Sequence, residues 1–155
     1  DLGWLARKRF TLAKQYFDRA LALDAGIWES MWGNGKLNRI KGERESAFMW
    51  LEKAQKVHQG CAELYFDLTS LALEMGKGSE AEIYGRMAVD LDPNDLDLWR
   101  AYALALVINN QVKRAVGVAT NACKKNPNDG RTWETLQFVR SIDKGEVVPP
   151  ECIRL

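Results

Sequence analysis

Ala13, Ala47, Ala81 and Ala115 stand thirty-four residues apart, and Ala20, Ala54, Ala88 and Ala122 repeat at the same interval. Two small-residue ladders kept in step through a chain of 155 residues mean an internal repeat, and nothing else in the sequence restricts the fold as tightly. Other columns share the frame: Gly42, Gly76 and then Asn110; Pro93 and Pro127; Trp99 and Trp133. Helices that cross closely leave room only for small side chains at the contact, with larger ones filling the space beside it. The alanine columns are therefore expected in the core, at the crossings of stacked helices.

The frame gives full units at 28–61, 62–95 and 96–129, preceded by a truncated unit at 1–27. In 96–129, Trp99, Tyr102, Ala103 and Leu106 fall at i, i+3, i+4 and i+7, one face of a helix. Asn109-Asn110 interrupts, and Ala115, Val118, Ala119 and Ala122 form a second stripe. Pro127 closes the unit, because it lacks an N–H and biases the residue before it away from helical geometry. Each unit thus reads as a helix A, a tight turn and a helix B. Gly42, Gly76 and Asn110 stand where helix A ends, and glycine and asparagine best tolerate a left-handed cap. Lys8 holds that slot in the truncated unit, at an expected cost in local stability. Asp95 and Asp129, just beyond the prolines, suit the N-cap of the next helix A. Residues 130–143 read as a terminal helix that caps the last unit. From residue 144 onward, with Val147-Val148-Pro149-Pro150, an extended tail is expected.

These spacings resemble the tetratricopeptide repeat (TPR), whose pattern runs from a large aromatic through Leu-Gly, Tyr, Ala, an aromatic and Ala to a closing Pro. Unit 96–129 carries Trp99, Tyr102-Ala103, Leu106, Ala115, Ala119, Ala122 and Pro127; unit 62–95 carries Tyr65, Leu68, Ala81, Ala88 and Pro93. Unit 28–61 is looser, with Met31, Gly35, Gly42, Ala47, Leu51 and Ala54, and ends in His58-Gln59-Gly60 without proline. Unit 1–27 keeps the end of helix A plus Ala13, Phe17 and Ala20. The architecture implied is all-α: a right-handed superhelix, or solenoid, of helix-turn-helix repeats over residues 1–143.

The resemblance also implies where a partner would lie. In such arrays helix A builds the inner wall, which here maps to Glu29, Trp32, Lys36 and Arg39; Glu63, Phe66 and Ser70; Asp97, Arg100 and Leu104; and Arg131, Glu134 and Phe138. Trp32 and Phe66 stand one position beyond the core column at Met31 and Tyr65. A large ring off the core stripe suits either the anchoring of a partner or packing between repeats. Gly33 and Gly35, around Asn34, are expected to weaken their helix. The basic clamp by which some TPR proteins hold the C-terminal carboxylate of heat-shock chaperones is not reproduced. One register places Trp32, Lys36, Ser70, Asp97 and Ala101 at its positions; the next places Phe66, Ser70, Leu104, Arg131 and Thr135.

A net charge of +1 gives no global pull toward nucleic acid or membrane. The charge is uneven, however. Arg7, Lys8, Arg9, Lys14, Lys36, Arg39, Lys41 and Arg44 make residues 1–60 basic, whereas Glu63 to Asp97 is acidic and broken only by Lys77 and Arg86. Either a solvated repeat surface or an electrostatically two-sided partner accounts for this. Cys61, Cys123 and Cys152 show no metal spacing and cannot all pair within one molecule, which favours a reducing, cytoplasmic setting. A periplasmic or organellar setting stays open. No apolar run suffices for a membrane helix and no signal-peptide pattern opens the chain. Its first residues, Asp1-Leu2-Gly3-Trp4, read as the interior of a repeat, so a portion of a longer protein is expected.

Catalysis finds little support. His58, the single histidine, is expected as an exposed linker residue without a nucleophile or metal partner. Glu63 and Asp67 share a helical face but read as surface acids. Asp90, Asp92 and Asp95 lack the glycine and closing glutamate of a calcium loop. No cofactor, no metal and no enzymatic activity are expected. The leading expectation is a protein-interaction scaffold holding an extended or helical segment of another protein, with self-association compatible. The alternatives are a regulatory or targeting segment of a larger enzyme or assembly factor and, more weakly, an RNA-binding repeat, although Glu29, Glu63 and Asp97 set acid where RNA would need base.

Overall fold

A computed structural model describes residues 2–145. They form α1 (Leu2–Leu23), α2 (Trp28–Lys41), α3 (Arg44–Val57), α4 (Ala62–Glu74), α5 (Gly78–Leu91), α6 (Leu96–Ile108), α7 (Val112–Lys125) and α8 (Gly130–Asp143), with no strand among the described residues. The helices gather into two compact units, Asp1–Gly60 and Cys61–Leu155. In the first, α1 packs on α2 and α2 on α3. In the second each helix packs on the next, and α6 also touches both α4 and α8. The three A helices of this unit therefore stand side by side as one wall.

The alanine columns lie where close crossings demand them. Ala47, Ala54, Ala81 and Ala115 are 0% exposed and Ala88 and Ala122 scarcely more. Ala13 and Ala20 are only half-buried, because α1 has α2 as its principal neighbour.

The turns follow from residue type. Gly42, Gly76 and Asn110 take φ of 81°, 70° and 60°, the left-handed region. Each closes its helix with the same pair of hydrogen bonds. The Gly42 and Glu43 amides donate to Arg39 O and Asn38 O; those of Gly76 and Lys77 to Leu73 O and Ala72 O; those of Asn110 and Gln111 to Val107 O and Leu106 O. This double bond satisfies carbonyls that a helix end leaves unpaired. Lys8 does none of this. The expected turn in the first unit is absent and α1 runs unbroken for 22 residues, because lysine is a good helix former and nothing at that slot favours positive φ.

Asp95 and Asp129 cap α6 and α8, accepting from the Asp97 and Arg131 amides at 2.9 and 2.8 Å. The Trp and Pro columns are bonded to each other. The Trp99 indole N–H donates to Pro93 O and that of Trp133 to Pro127 O, both at 2.9 Å. A further clasp ties α5 to the α6–α7 turn: Glu82 accepts from Asn109 at 2.6 Å, Gln111 at 2.5 Å and Arg114 at 2.6 Å. Partial burial raises the Glu82 pKa, but hydrogen bonds from Asn109, Arg114 and Gln111, with the Arg114 charge, outweigh it and hold the carboxyl below its usual range.

α2 is continuous through its two glycines. Gly33 and Gly35 lie within an unbroken helix, and each admits a neighbour: a Cβ at Gly33 would stand 2.3 Å from the Phe17 ring of α1, and one at Gly35 2.6 Å from Leu51 of α3. At the other end, α8 closes at Lys144 and Gly145. The expected tail lies, from residue 146 on, outside the described residues. Among the described helices none is long and apolar enough to cross a membrane.

Candidate partner-binding clefts

In the second unit two clefts open on the wall of A helices. One, of about 290 Å³, is lined by Arg100 and Leu104 of α6 and by Glu134, Thr135 and Phe138 of α8. Arg100 and Glu134 share one column of the repeat and Leu104 and Phe138 another, so two helical turns of two adjacent A helices face the same space. The other, of about 130 Å³, lies where α4 and α6 begin, with Glu63, Phe66, Asp95, Asp97 and Leu98 among its walls. Phe66 is half-buried there and Glu63 exposed. Apolar surface from Phe66, Leu98, Leu104 and Phe138 thus alternates with charge, the mixture that seats a peptide side chain and fixes its orientation.

Arg131 stands between the clefts. Its guanidinium donates to Asp97 at 3.1 Å and to Asp129 at 3.0 Å, joining acid and base thirty-four residues apart on adjacent helices. The hydrogen bond from Arg131 holds the Asp129 carboxyl below its usual range, and the same bond with the Asp97 charge raises the guanidinium. The acid expected at Asp97 is therefore partly neutralised in place.

Two expected wall residues behave differently from the rest. Ser70 is 3% exposed and its hydroxyl has no hydrogen-bond partner. It is a packed residue and not a contact surface, because α6 lies directly against α4. Leu104 is equally buried but reaches the larger cleft as its floor. Thr135 was not among the expected wall residues, yet it lines that cleft, its hydroxyl turned back to Arg131 O at 2.8 Å. Its position one turn after Arg131 is the signal that could have placed it there.

In the first unit two expected residues, Trp32 and Lys36, form a ladder on α2 with Trp28, which the sequence reading missed. Trp28 and Trp32 stack with centroids 5.7 Å apart, and the Lys36 ammonium sits 4.0 Å over the Trp32 ring. The spacing of four along one helix puts the three on one face. His58 extends the stack from the other side, 4.3 Å from Trp28 and nearly parallel to it. The expectation of an exposed linker histidine is corrected: His58 is half-buried against an aromatic ring. Glu29 is exposed in the first turn of α2, where the helix dipole favours it, and Arg39 is half-buried in the last.

Of the acids that lack a calcium-loop pattern, Asp90 pairs with Arg86, Asp92 accepts from the Asn94 amide at 3.0 Å and Asp95 caps α6. No group of three or more metal-ligating side chains occurs among the described residues. Cys61 and Cys123 are free thiols; burial raises the Cys61 pKa, and Cys152 lies outside the described residues.

Similarity to known proteins lies in the fold. No protein-family model matches the sequence, and neither does any curated protein. Among solved structures, YrrB, described as a TPR protein with an unusual peptide-binding site, superposes with a TM-score of 0.78 at 18% identity, covering 96% of this chain and 74% of that one. MamA from Desulfovibrio magneticus RS-1 gives 0.78 at 16% identity, covering 92% and 80%. The first TPR of Spaghetti (RPAP3), bound to the HSP90 peptide SRMEEVD, gives 0.67 at 15% identity, covering 78% and 96%. The chain has the all-α fold of the tetratricopeptide-repeat proteins, and that is the class its helices, turns and wall define.

Proposed function

We propose that this protein is a non-catalytic scaffold that binds a segment of a partner protein against its A helices, with the α6–α8 cleft as the principal seat. The carrying observation is that cleft: about 290 Å³ floored by Leu104, walled by Phe138 and rimmed by Arg100 and Glu134. An apolar side chain of the segment fills the floor, while its backbone and polar groups meet the charged rim. Phe66 with Leu98, and in the first unit Trp32 with Lys36, offer further contacts. The peptide-bound and peptide-binding relatives in fold support this reading, as does a chain whose polar clusters are occupied by caps and clasps. A cytoplasmic setting fits the free thiols.

Selection of a random peptide library against the chain, followed by calorimetry on the enriched peptides, tests it. Phe138→Ala should weaken those peptides by at least about 2 kcal/mol, as truncating an anchoring contact does, and Glu134→Arg should change which sequences are enriched. Trp133→Ala, outside the cleft, should leave affinity unchanged. Enriched peptides that bind Phe138→Ala as tightly as the original chain would place the seat elsewhere.

A further inference from the structure

Two helices present apolar stripes to solvent that the proposed clefts do not use. On α1, Leu12, Tyr16 and Leu23 are 48%, 63% and 83% exposed. At 3.6 residues per turn they fall within about 40° of one another, in a single stripe. Lys8, Arg9 and Arg19 fall on the same face and are exposed; no acid falls there. On α5, Ile83, Met87 and Leu91 recur at i, i+4 and i+8 and are 56%, 41% and 43% exposed. Here the flanks are acidic. Glu80 and Asp90 share the face, and Asp92 follows at its end, against a single base, Arg86, which pairs with Asp90. Scattered exposed apolar residues need no explanation, but two aligned stripes do.

We infer that the α1 face of one copy docks on the α5 face of another, so that the chain associates with itself head to tail. The stripes are comparable in length, about 16 Å on α1 and about 12 Å on α5 at 1.5 Å per residue. Laid together they bury two apolar rows against each other, as amphipathic helices do. The charges bordering them are opposite: Lys8, Arg9 and Arg19 meet Glu80, Asp90 and Asp92. Like faces do not fit, since α1 on α1 would bring base onto base and α5 on α5 acid onto acid. The contact is therefore between different faces, a heterologous one. Two helix faces make a small interface, so association in the micromolar range is expected.

Sedimentation velocity over a concentration series tests this with the 155-residue chain. The chain should associate reversibly, and less so at high salt, because the flanking charges are exposed and screened. Tyr16→Glu and Met87→Glu should each weaken association at least about tenfold, since each sets a charge against an apolar row. Both sites already face solvent, so the helical signal should be preserved; Leu23→Glu and Ile83→Glu serve as second variants. Met49→Glu, on the outer face of α3, should leave association intact. The decisive measurement is the mixture: Tyr16→Glu and Met87→Glu, each weakened alone, should combine into a dimer with the affinity of the original chain and stop there, because each keeps the face the other lacks. A chain monomeric at every concentration, variants that self-associate as tightly as the original chain, or a mixture that associates no better than either variant alone would overturn the inference. So would loss of association in Met49→Glu, or a monomeric chain whose α1 stripe binds anionic vesicles instead. Peptide binding in the α6–α8 cleft is unaffected by any of these variants, so the two readings fail separately.

Discussion

Replacing Gly35 with alanine sets helix propensity against packing, and the structure decides the sign. In a helix interior the exchange favours the helix by about 1 kcal/mol. At Gly35 the new methyl would stand 2.6 Å from Leu51 Cδ2 and 2.9 Å from Leu51 Cγ, with the Ala47 carbonyl oxygen at 3.4 Å. Leu51 is 1% exposed, so the methyl meets a side chain enclosed by the core. Either its rotamer is strained or α2 and α3 move apart. Overpacking of this kind costs about 1–3 kcal/mol, and overlap with two carbons of a fully buried side chain points to the upper end. The net expectation is a loss of about 2 kcal/mol. Gly117 is the internal control: it lies within α7 and nothing stands within 4 Å of an added methyl. There the same exchange should return the whole propensity gain of about 1 kcal/mol.

Two compact units need not melt together, so one midpoint does not measure either change. Native-state hydrogen exchange, read helix by helix, does. At 1.4 kcal/mol per factor of ten, Gly35→Ala should reduce protection in α2 and α3 about thirtyfold, and Gly117→Ala should raise it in α7 about fivefold. Increased protection of α2 in Gly35→Ala would refute the close approach of Leu51. Decreased protection of α7 in Gly117→Ala would refute its exposed position there.

Ala115→Leu should cost about 1–3 kcal/mol by overpacking a crossing with no exposed surface; unchanged exchange protection of α7 would mean the alanine ladder is misplaced. Asn110→Ala should lose about 1–2 kcal/mol and Asn110→Gly very little, because the position needs φ of 60°; equal losses would point to the side chain instead. The folded pKa of Glu82 lies below the unfolded value, so its contribution is present above the ordinary carboxylate pKa of about 4.3 and is lost as pH falls through the folded value. Glu82→Gln should therefore flatten the acid limb of the stability curve, and an acid limb of unchanged slope would exclude the clasp as its source.

What the sequence states in residue type it states clearly. A helix that must end in a left-handed residue needs glycine or asparagine, and a helix that starts after proline needs an acceptor, so Gly42, Gly76, Asn110, Asp95 and Asp129 announce their roles. Burial of the alanines follows from their size. What depends on a distant neighbour is less visible. Gly33 and Gly35 read as flexible until Phe17 and Leu51 are known to face them, and the same absent methyl then serves contact. His58 reads as a linker until Trp28, thirty residues earlier, is found against its ring. The repeat period also overreaches at Lys8. It carries a register into the first unit, but a turn needs a residue that will adopt it, and lysine continues the helix.

The candidate wall shows the same division at finer scale. Ser70 and Leu104 hold one column of the repeat and are equally buried, yet of the two clefts on this wall Leu104 lines one and Ser70 lines neither. The column fixes direction and cannot fix depth. Depth comes from the neighbours: Leu104 shares its cleft with Glu134, Thr135 and Phe138 of α8, whereas α6 packs against α4 beside Ser70. Charge follows the same logic. Asp97 taken alone makes the wall acidic, but Arg131 comes from the next A helix and binds it, while Glu63 has no such arginine among the described residues and accepts from the Cys61 thiol at 3.3 Å. The wall is thus more acidic at α4 than at α8. If the proposed scaffold reading holds, a partner segment running across it meets different demands at its two ends, with a base favoured near Glu63 and Phe66 and an apolar residue at Leu104 and Phe138. On the proposed reading, peptides enriched against the chain should therefore share a polarity along their length, a base toward one end and an apolar residue toward the other, and not a common net charge.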